Sequence, residues 1–158
     1  MSVGLLLALK PRKTYLTERS EAMVALFVFQ HRVQEHEIDD LGHVNNVAFL
    51  DWMQQAAIAH SAKNGWSSED YHRIGRGWVA KSHKIEYHAP AYLDEEILVH
   101  TWVASMQRVS SVRRFRIYRK CDNILLAEAE TLWAFVNYET GKLVRIPDEV
   151  ASCYIPMT

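Results

Sequence analysis

The chain has 158 residues, of which 49 % are hydrophobic and 23 % charged, and its formal net charge at pH 7 is -1. This length and this composition are those of one globular domain that buries a core of its own. A net charge so close to zero gives no general reason to expect nucleic acid or an anionic membrane surface as a partner. We therefore expect no nucleic-acid partner and no membrane partner, and any anion site must be local.

The N-terminal part predicts an extension followed by one domain. Residues 1–22 do not continue the periodic pattern that comes after them, so they are either a flexible extension or lie ahead of the true start at Met23. Their apolar run precedes its basic residues, whereas a secretory signal carries positive charge first, so we do not expect a signal peptide. No segment of the sequence has the apolar length of a membrane span. Residues 23–158 form the predicted domain. In it, residues 25–34 alternate apolar and polar side chains as a strand does.

A long helix and four strands are predicted next. Residues 45–63 carry apolar side chains at three- and four-residue spacing, which predicts a helix that Asn64 and Gly65 end. Residues 66–77 read as a connection with one helical turn. Antiparallel strands follow over residues 78–88, 95–106, 112–120 and 124–138, with a short strand after Gly141 and a closing helical turn over 147–154. One strand, one helix and this meander predict an α+β domain.

The segment before the long helix combines a carboxylate, a glycine turn and a helix start, in the order Asp39, Gly42, His43, Asn45 and Asn46. The first N–H groups of a helix lack an intrahelical acceptor and carry a partial positive charge, so they stabilise a developing oxyanion. An ionised Asp39 beside this pole suits attack on a carbonyl. The alternative is that Asp39 only forms the turn and that Asn45 and Asn46 only cap the helix.

The same segment carries a family resemblance, through Asp39, Gly42, Val44, Phe49 and Trp52. The likeness continues through Gly77-Trp78-Val79, Ile85-Glu86-Tyr87-His88-Ala89-Pro90 and Asp94-Glu95-Glu96-Ile97. In this order and spacing the chain resembles the hotdog-fold thioesterases of the 4-hydroxybenzoyl-CoA thioesterase type over residues 25–140. The resemblance implies the hotdog fold, in which an antiparallel sheet of five to six strands wraps one long central helix. It also implies a homodimer or a dimer of dimers, with each active site at an interface.

The resemblance assigns roles to the helix-start segment. It implies that Asp39 is either the nucleophile on the thioester carbonyl or the base that activates water, and that the backbone N–H near Asn46 polarises the carbonyl. The plant acyl-carrier-protein thioesterases have a similar His-Val-Asn-Asn segment, which suggests that His43 orients water or substrate. Leu41 occupies the position where that branch has an Asn, so a structural histidine is the alternative.

Candidate substrate contacts come from aromatic and basic residues. Gly42, Phe49, Trp78 and Val79 are predicted to bind the substrate. The aromatic side chains could line an acyl or aryl pocket or could simply be core residues, and they are Phe49, Trp52, Trp78, Tyr87 and Trp102. Arginine suits phosphate, and the basic residues concentrate in and before one strand, at Arg108, Arg113, Arg114, Arg116 and Arg119. Alternation separates Arg114 and Arg116 from Arg113 and Arg119. Arg108, at the strand entry, is the preferred coenzyme A contact, and a solvated strand face is the alternative for each arginine.

We therefore expect a cytoplasmic acyl-CoA thioesterase that needs no metal or redox cofactor. The histidines lack metal-site spacing, and the widely separated Cys121 and Cys153 read as free thiols in a reducing compartment. The sequence has neither the Gly-x-Ser-x-Gly motif of serine hydrolases nor the phosphate-binding loop motif of nucleotide-hydrolysing proteins. The alternatives are a carrier-protein thioesterase, a hotdog hydratase and a non-catalytic acyl-CoA-binding module on the same fold.

Overall fold

The computed structural model describes residues 25–158. Its elements are, in chain order, β1 (Leu26–Arg32), a 3-10 helix (Glu35–Glu37), α1 (Asn46–Lys63), α2 (Ser68–Ile74), β2 (Arg76–Tyr87), β3 (Glu96–Met106), β4 (Ser110–Arg119), β5 (Leu125–Asn137) and α3 (Asp148–Ala151). The five strands form one antiparallel sheet in the order β1-β3-β4-β5-β2. The predicted α+β hotdog fold is confirmed, with five strands in this part of the chain, while the extension predicted over 1–22 lies outside the described residues.

The helix α1 fills the concave side of the sheet. Its buried residues recur at three- and four-residue spacing, and four of the apolar ones are small or flexible, which lets the sheet approach the helix closely. They pack against alternate residues of β3, β4 and β5, whose side chains reach the same face. The core formed in this way contains Ala48, Phe49, Trp52, Met53, Ala56, Ala57, Ile97, Val99, Phe115, Ile117, Leu126 and Ala127.

Irregular strand pairing helps the sheet to curve around the helix. The register shifts between Ala80 and Ser82 in β2, and again between Val103 and Ser105 in β3. Extra residues of this kind bend a strand and increase its local twist. At a third shift, Leu126 is an extra residue of β5 opposite Ile117 and Tyr118 of β4. The concave face that holds α1 follows from this curvature.

Two connections differ from the predictions. The segment expected to hold one helical turn contains the seven-residue α2, because Ser67 and Asp70 form a capping box at its start and Gly75 ends it with a φ of +66°. The short strand expected after Gly141 is only an isolated bridge, between Leu143 and Val136. The reason is that β2 occupies one edge of β5 to its end, and β4 occupies the other edge as far as Ala134, which leaves only the last few residues of β5 for pairing.

Candidate active site

Asp39 lies in a tight loop that joins the 3-10 helix to α1. Its N–H donates to the carbonyl of His43 at 2.9 Å, and a bridge between Ile38 and Val44 closes the loop behind it. The N–H of Gly42 donates back to the carbonyl of Asp39 at 3.0 Å. Gly42 has a φ of +81°, a conformation that glycine adopts without steric cost. The glycine of the predicted motif therefore shapes the loop that presents Asp39.

The two carboxylate oxygens of Asp39 have different surroundings. Oδ1 accepts a hydrogen bond from the N–H of Leu41 at 2.8 Å, which is the turn-forming role of Asp. Oδ2 lies 3.6 Å from Nδ1 of His43, beyond hydrogen-bond length but within ion-pair distance. The side chain is 32 % exposed. One oxygen thus holds the turn, and the other remains open to a substrate or a water molecule.

The start of α1 supplies the N–H groups that the sequence predicts. Asn45 is the N-cap, and its Oδ1 accepts from the N–H of Ala48 at 2.9 Å. Its own N–H and its Nδ2 both donate to the carbonyl of Glu37, at 2.8 and 2.9 Å. Asn46 and Val47 occupy the first two helical positions, whose N–H groups have no intrahelical acceptor. The capping role is therefore that of Asn45, and the amides of Asn46 and Val47 are available to an oxyanion.

A buried carboxylate that the sequence did not reveal fixes the chain ahead of this loop. Glu37 is 5 % exposed, and it accepts from Nε1 of Trp52 at 2.7 Å and from the N–H of Gln34 at 2.8 Å. Nε2 of His31 lies 2.9 Å from Oε2 of Glu37, the same oxygen that accepts from Gln34. Burial alone would raise the pKa of this carboxyl, but the three hydrogen bonds together outweigh burial and hold the pKa of Glu37 below its ordinary value. Only the spacing of Glu37 from Trp52, across a loop of unknown shape, could have indicated the contact.

Aromatic packing surrounds the helix start. Phe49 is 2 % exposed and stacks at a tilt on Trp52, with ring centroids 4.9 Å apart. Tyr87 meets Phe49 edge to face at 5.2 Å and donates from its hydroxyl to the carbonyl of Asn46 at 3.2 Å. Phe49 and Trp52 are thus core residues in the protomer, and Tyr87 ties the end of β2 to the first turn of α1.

The other predicted contacts lie at the opposite end of the sheet. Trp78 and Val79 are nine and eight residues from Tyr87 along β2, so they lie about 30 Å away at the rise of a strand. Arg108 is exposed in the turn between β3 and β4, at that same far end. Within one protomer, the structure therefore brings Asp39, Gly42 and Asn46 together. It does not bring the far-end residues to them.

The arginines of β4 divide between the two sheet faces, as alternation predicts. Arg114 and Arg116 are exposed and pair with Glu130 and Glu128 of β5, at 3.1 and 3.0 Å. Such pairs suit a solvated strand face. Arg113 instead lies on the inner face and is only 6 % exposed. For Arg113 a solvated face is therefore wrong, because its neighbours on that face belong to the core.

Within residues 25–158, no group of three or more His, Cys, Asp or Glu side chains is arranged to hold a metal ion. In that range no helix combines the length and the hydrophobicity that a membrane crossing requires. Cys121 is exposed in the turn after β4, and Cys153 is buried near α3.

Comparison with known proteins identifies the family to which the chain is similar. The model of the family described as the thioesterase-like superfamily matches residues 33–153. The chain is similar to the acyl-CoA thioester hydrolase YbgC of Escherichia coli O157:H7, with 29 % identity over 127 residues that make up 80 % of this chain and 94 % of that one. It is also similar to the acyl-[acyl-carrier-protein] hydrolase FATB2 of Cuphea viscosissima, with 26 % identity over 108 residues. That match covers 64 % of this chain but only 26 % of the longer plant protein.

Solved structures share the fold. The 1,4-dihydroxy-2-naphthoyl-CoA thioesterase Slr0204 from Synechocystis superposes with a TM-score of 0.76. The alignment covers 81 % of this chain and 94 % of that chain, with 19 % sequence identity. At this identity the likeness establishes the fold of the chain, while its chemistry has to be argued from its own residues.

Proposed function

The chain belongs to the thioesterase-like superfamily and is a thioester hydrolase, and we propose that it cleaves acyl-CoA at the loop of Asp39. The products are the free acid and coenzyme A. The observation that carries the proposal is the open Oδ2 of Asp39, presented next to a helix start whose first two N–H groups face no intrahelical acceptor. We also propose a cytoplasmic location, because the exposed thiol of Cys121 suits a reducing compartment.

The chemistry needs a base or a nucleophile and a site for negative charge. In the first route, Oδ2 of Asp39 takes a proton from water, and the resulting hydroxide attacks the thioester carbon. In the second, Oδ2 attacks the carbon itself, and water later releases the acid from the anhydride. In both routes the carbonyl oxygen becomes an oxyanion, which the N–H groups of Asn46 and Val47 stabilise before the C–S bond breaks. The coenzyme A thiolate leaves and takes up a proton.

His43 is proposed to position Asp39 rather than to react. Its Nδ1 lies 3.6 Å from Oδ2, and the backbone pairing between the two residues keeps the ring beside the carboxylate. This role needs no counterpart of the Asn that the plant enzymes carry where Leu41 stands here.

A homodimer would bring the two ends of the sheet together. Among the described strands β2 is the last one of the sheet, so no described strand pairs with its outer edge. A second copy that pairs antiparallel with this edge about a twofold axis would set the Trp78 end of one strand beside the Tyr87 end of the other. Exposed apolar side chains lie near this edge, among them Val47 at 74 % exposure and Ile58 at 54 %, on one face of α1. We propose that each active site joins Asp39 of one protomer to Val79 of the other, and that such dimers are the unit of any tetramer.

The first experiment measures free thiol released from short, long and aromatic acyl-CoAs. We expect Asp39→Asn to lose at least about a hundredfold in kcat with an unchanged unfolding midpoint, because the amide neither attacks nor takes a proton. Asp40→Asn is the matched control, since Asp40 is an exposed residue of the same loop. Equal rates for Asp39→Asn and the wild type would remove Asp39 from the mechanism. Release only from acyl carrier protein would change the substrate class, and tight acyl-CoA binding without release would make the domain a binding module.

A hybrid experiment tests the shared site. Asp39→Asn and Val79→Arg are each expected to be inactive, the second because a long cation at an exposed pocket position blocks the acyl group. In a random mixture, half of the dimers are hybrids with one intact site of two, so about a quarter of the wild-type rate should return. If each site lay within one protomer, the mixture would stay inactive.

A further inference from the structure

A cavity of about 410 Å³ lies between the C-terminal half of α1, α2 and the inner face of the sheet. Its size is in the range of small-molecule sites. Exposed or half-buried residues of α1 and β2, namely Gln54, Ile58 and Val79, line it toward the surface where we propose that the second protomer binds. Its interior is mainly aromatic and aliphatic, with Trp66, Tyr71, Trp78, Val103, Met106 and Tyr154 among the lining residues.

Among the described residues that line this apolar cavity, Arg113 carries a formal charge. Its Nη1 donates to Nδ1 of His60 at 2.8 Å and to Oγ1 of Thr101 at 3.2 Å. A guanidinium has five N–H donors, so three remain on Nε and Nη2, and over residues 25–158 they have no hydrogen-bond acceptor. In the same range no carboxylate lies within 4.0 Å of Arg113, the ion-pair limit.

The surroundings of Arg113 hold it as a cation without neutralising it. Arginine only donates, so Nδ1 of His60 accepts and bears no proton. The guanidinium carbon lies 5.9 Å from the centre of the Tyr154 ring, which favours a cation. Burial lowers the pKa of the Arg113 guanidinium, the expected effect on a charge taken out of water, yet an arginine stays protonated at neutral pH.

The nearby hydroxyl groups are already engaged with one another. Oγ of Ser61 lies 2.6 Å from the hydroxyl of Tyr154 and 3.1 Å from that of Tyr71, which also accepts from Nε1 of Trp78 at 3.1 Å. Burial raises the pKa of Tyr71, so this hydroxyl does not supply a negative charge at neutral pH. The anion that Arg113 requires must therefore come from a ligand, or from outside the described residues.

We propose that the cavity binds the acyl part of the substrate and that Arg113 binds a carboxylate at the end of the acyl chain remote from the thioester. The proposal rests on the proposed thioesterase function and specifies its substrate class as thioesters of dicarboxylic acids. The N–H groups of Nε and Nη2 form the planar fork that a carboxylate accepts in two parallel hydrogen bonds. A chain that ends in a methyl group leaves the buried cation without an anion, and a site built for a polar group rejects such an analogue.

The test compares matched substrates on the wild-type protein, suberyl-CoA with octanoyl-CoA and hexadecanedioyl-CoA with palmitoyl-CoA. We expect kcat/KM to be at least about tenfold higher for the dicarboxylic member of the preferred length. In Arg113→Met this ratio should fall to one or below. Arg114→Met is the matched control, because Arg114 is the exposed neighbour on the outer face, and its ratio should equal that of the wild type. A wild-type ratio of one or less for both pairs overturns the proposal without any variant.

A binding measurement separates the two proposals from each other. Free suberate should raise the unfolding temperature of the wild-type dimer, and octanoate at the same concentration should raise it less. If no thioester is hydrolysed but suberate still stabilises the wild type and not Arg113→Met, the thioesterase function fails and the carboxylate site stands. If thioesters are hydrolysed without preference and suberate has no greater effect than octanoate, the carboxylate site fails and the thioesterase function stands. If Arg113→Met does not fold, Arg113→Lys, which keeps the charge but loses the fork, should lower the substrate ratio.

Discussion

Replacing Glu37 by Gln tests whether the buried carboxylate fixes the loop that carries Asp39. Three donors contact the two oxygens of Glu37, from His31, Gln34 and Trp52. A Gln offers one oxygen and turns its NH₂ toward the other contacts, so at least one bond is lost and one donor faces another. Hydrogen bonds to a charged group contribute about 1.5–3 kcal/mol each, partly offset here by the cost of burying the charge. We expect Glu37→Gln to lower the free energy of unfolding by about 3 kcal/mol at pH 7.

The stability difference between the wild type and Glu37→Gln should also depend on pH. Because the pKa of Glu37 in the folded protein lies below its ordinary value of 4.5, its contribution is present above pH 4.5 and is lost as the pH falls through the lowered pKa. The difference between wild type and Glu37→Gln should therefore shrink in acid, where the wild-type carboxyl is itself protonated.

Urea unfolding at fixed protein concentration, at several pH values from neutral to acid, measures the loss of unfolding free energy and its change with pH. Thermal unfolding is a second measurement. At neutral pH the midpoint of thermal unfolding should fall by about 6–12 °C, at 2–4 °C per kcal/mol for a domain of this size. Glu35→Gln is the control, since Glu35 belongs to the same 3-10 helix but is exposed. Equal midpoints for Glu37→Gln and the control, or a difference that does not change with pH, would refute the reasoning.

Two further predictions concern the same loop. Gly42→Ala should lower kcat at least about tenfold while leaving most of the stability intact, because the added Cβ meets no neighbouring atom but a φ of +81° strains alanine. Thiol release and thermal unfolding, measured on the same variant, check this prediction. Unchanged kinetics would mean that the loop adapts to alanine. Asn45→Ala removes the cap of Ala48 and should lower the free energy of unfolding by about 1 kcal/mol in urea titrations; a loss below about 0.3 kcal/mol would show that water replaces the cap.

The fold was predictable because its signals are local and repeated. Alternation fixed the strands and their faces, and the apolar spacing of residues 46–63 fixed the helix that they wrap. The extra strand expected after Gly141 failed for a partly non-local reason, since β2, which is distant in sequence, fills one edge of β5 and β4 fills the other edge as far as Ala134. A turn signal indicates that the chain reverses, but it does not indicate whether an edge is free to receive it.

The candidate site was predictable only in its local part. The turn, the glycine and the cap around Asp39 follow from residues within six positions of each other. The anchor at Glu37 needed the contact with Trp52, fifteen residues away, which no short motif encodes. Arg113 had a usable signal, because Phe115 and Ile117 lie on its face of β4 and are apolar. That alternation indicates an inward arginine, whereas the cluster of basic residues around it suggested a solvated one.

The outer strand β2 also bears on how the newly made chain avoids aggregation. An unguarded edge strand templates any extended segment that meets it, including those of other unfolded chains. In β2 the edge carries the exposed lysines Lys81 and Lys84, and the register shift at Ala80 and Ser82 interrupts its regular pairing. Charges and an interrupted ladder of this kind disfavour pairing with unrelated extended segments. We therefore expect that the strand that would join two protomers also protects a single protomer from aggregation.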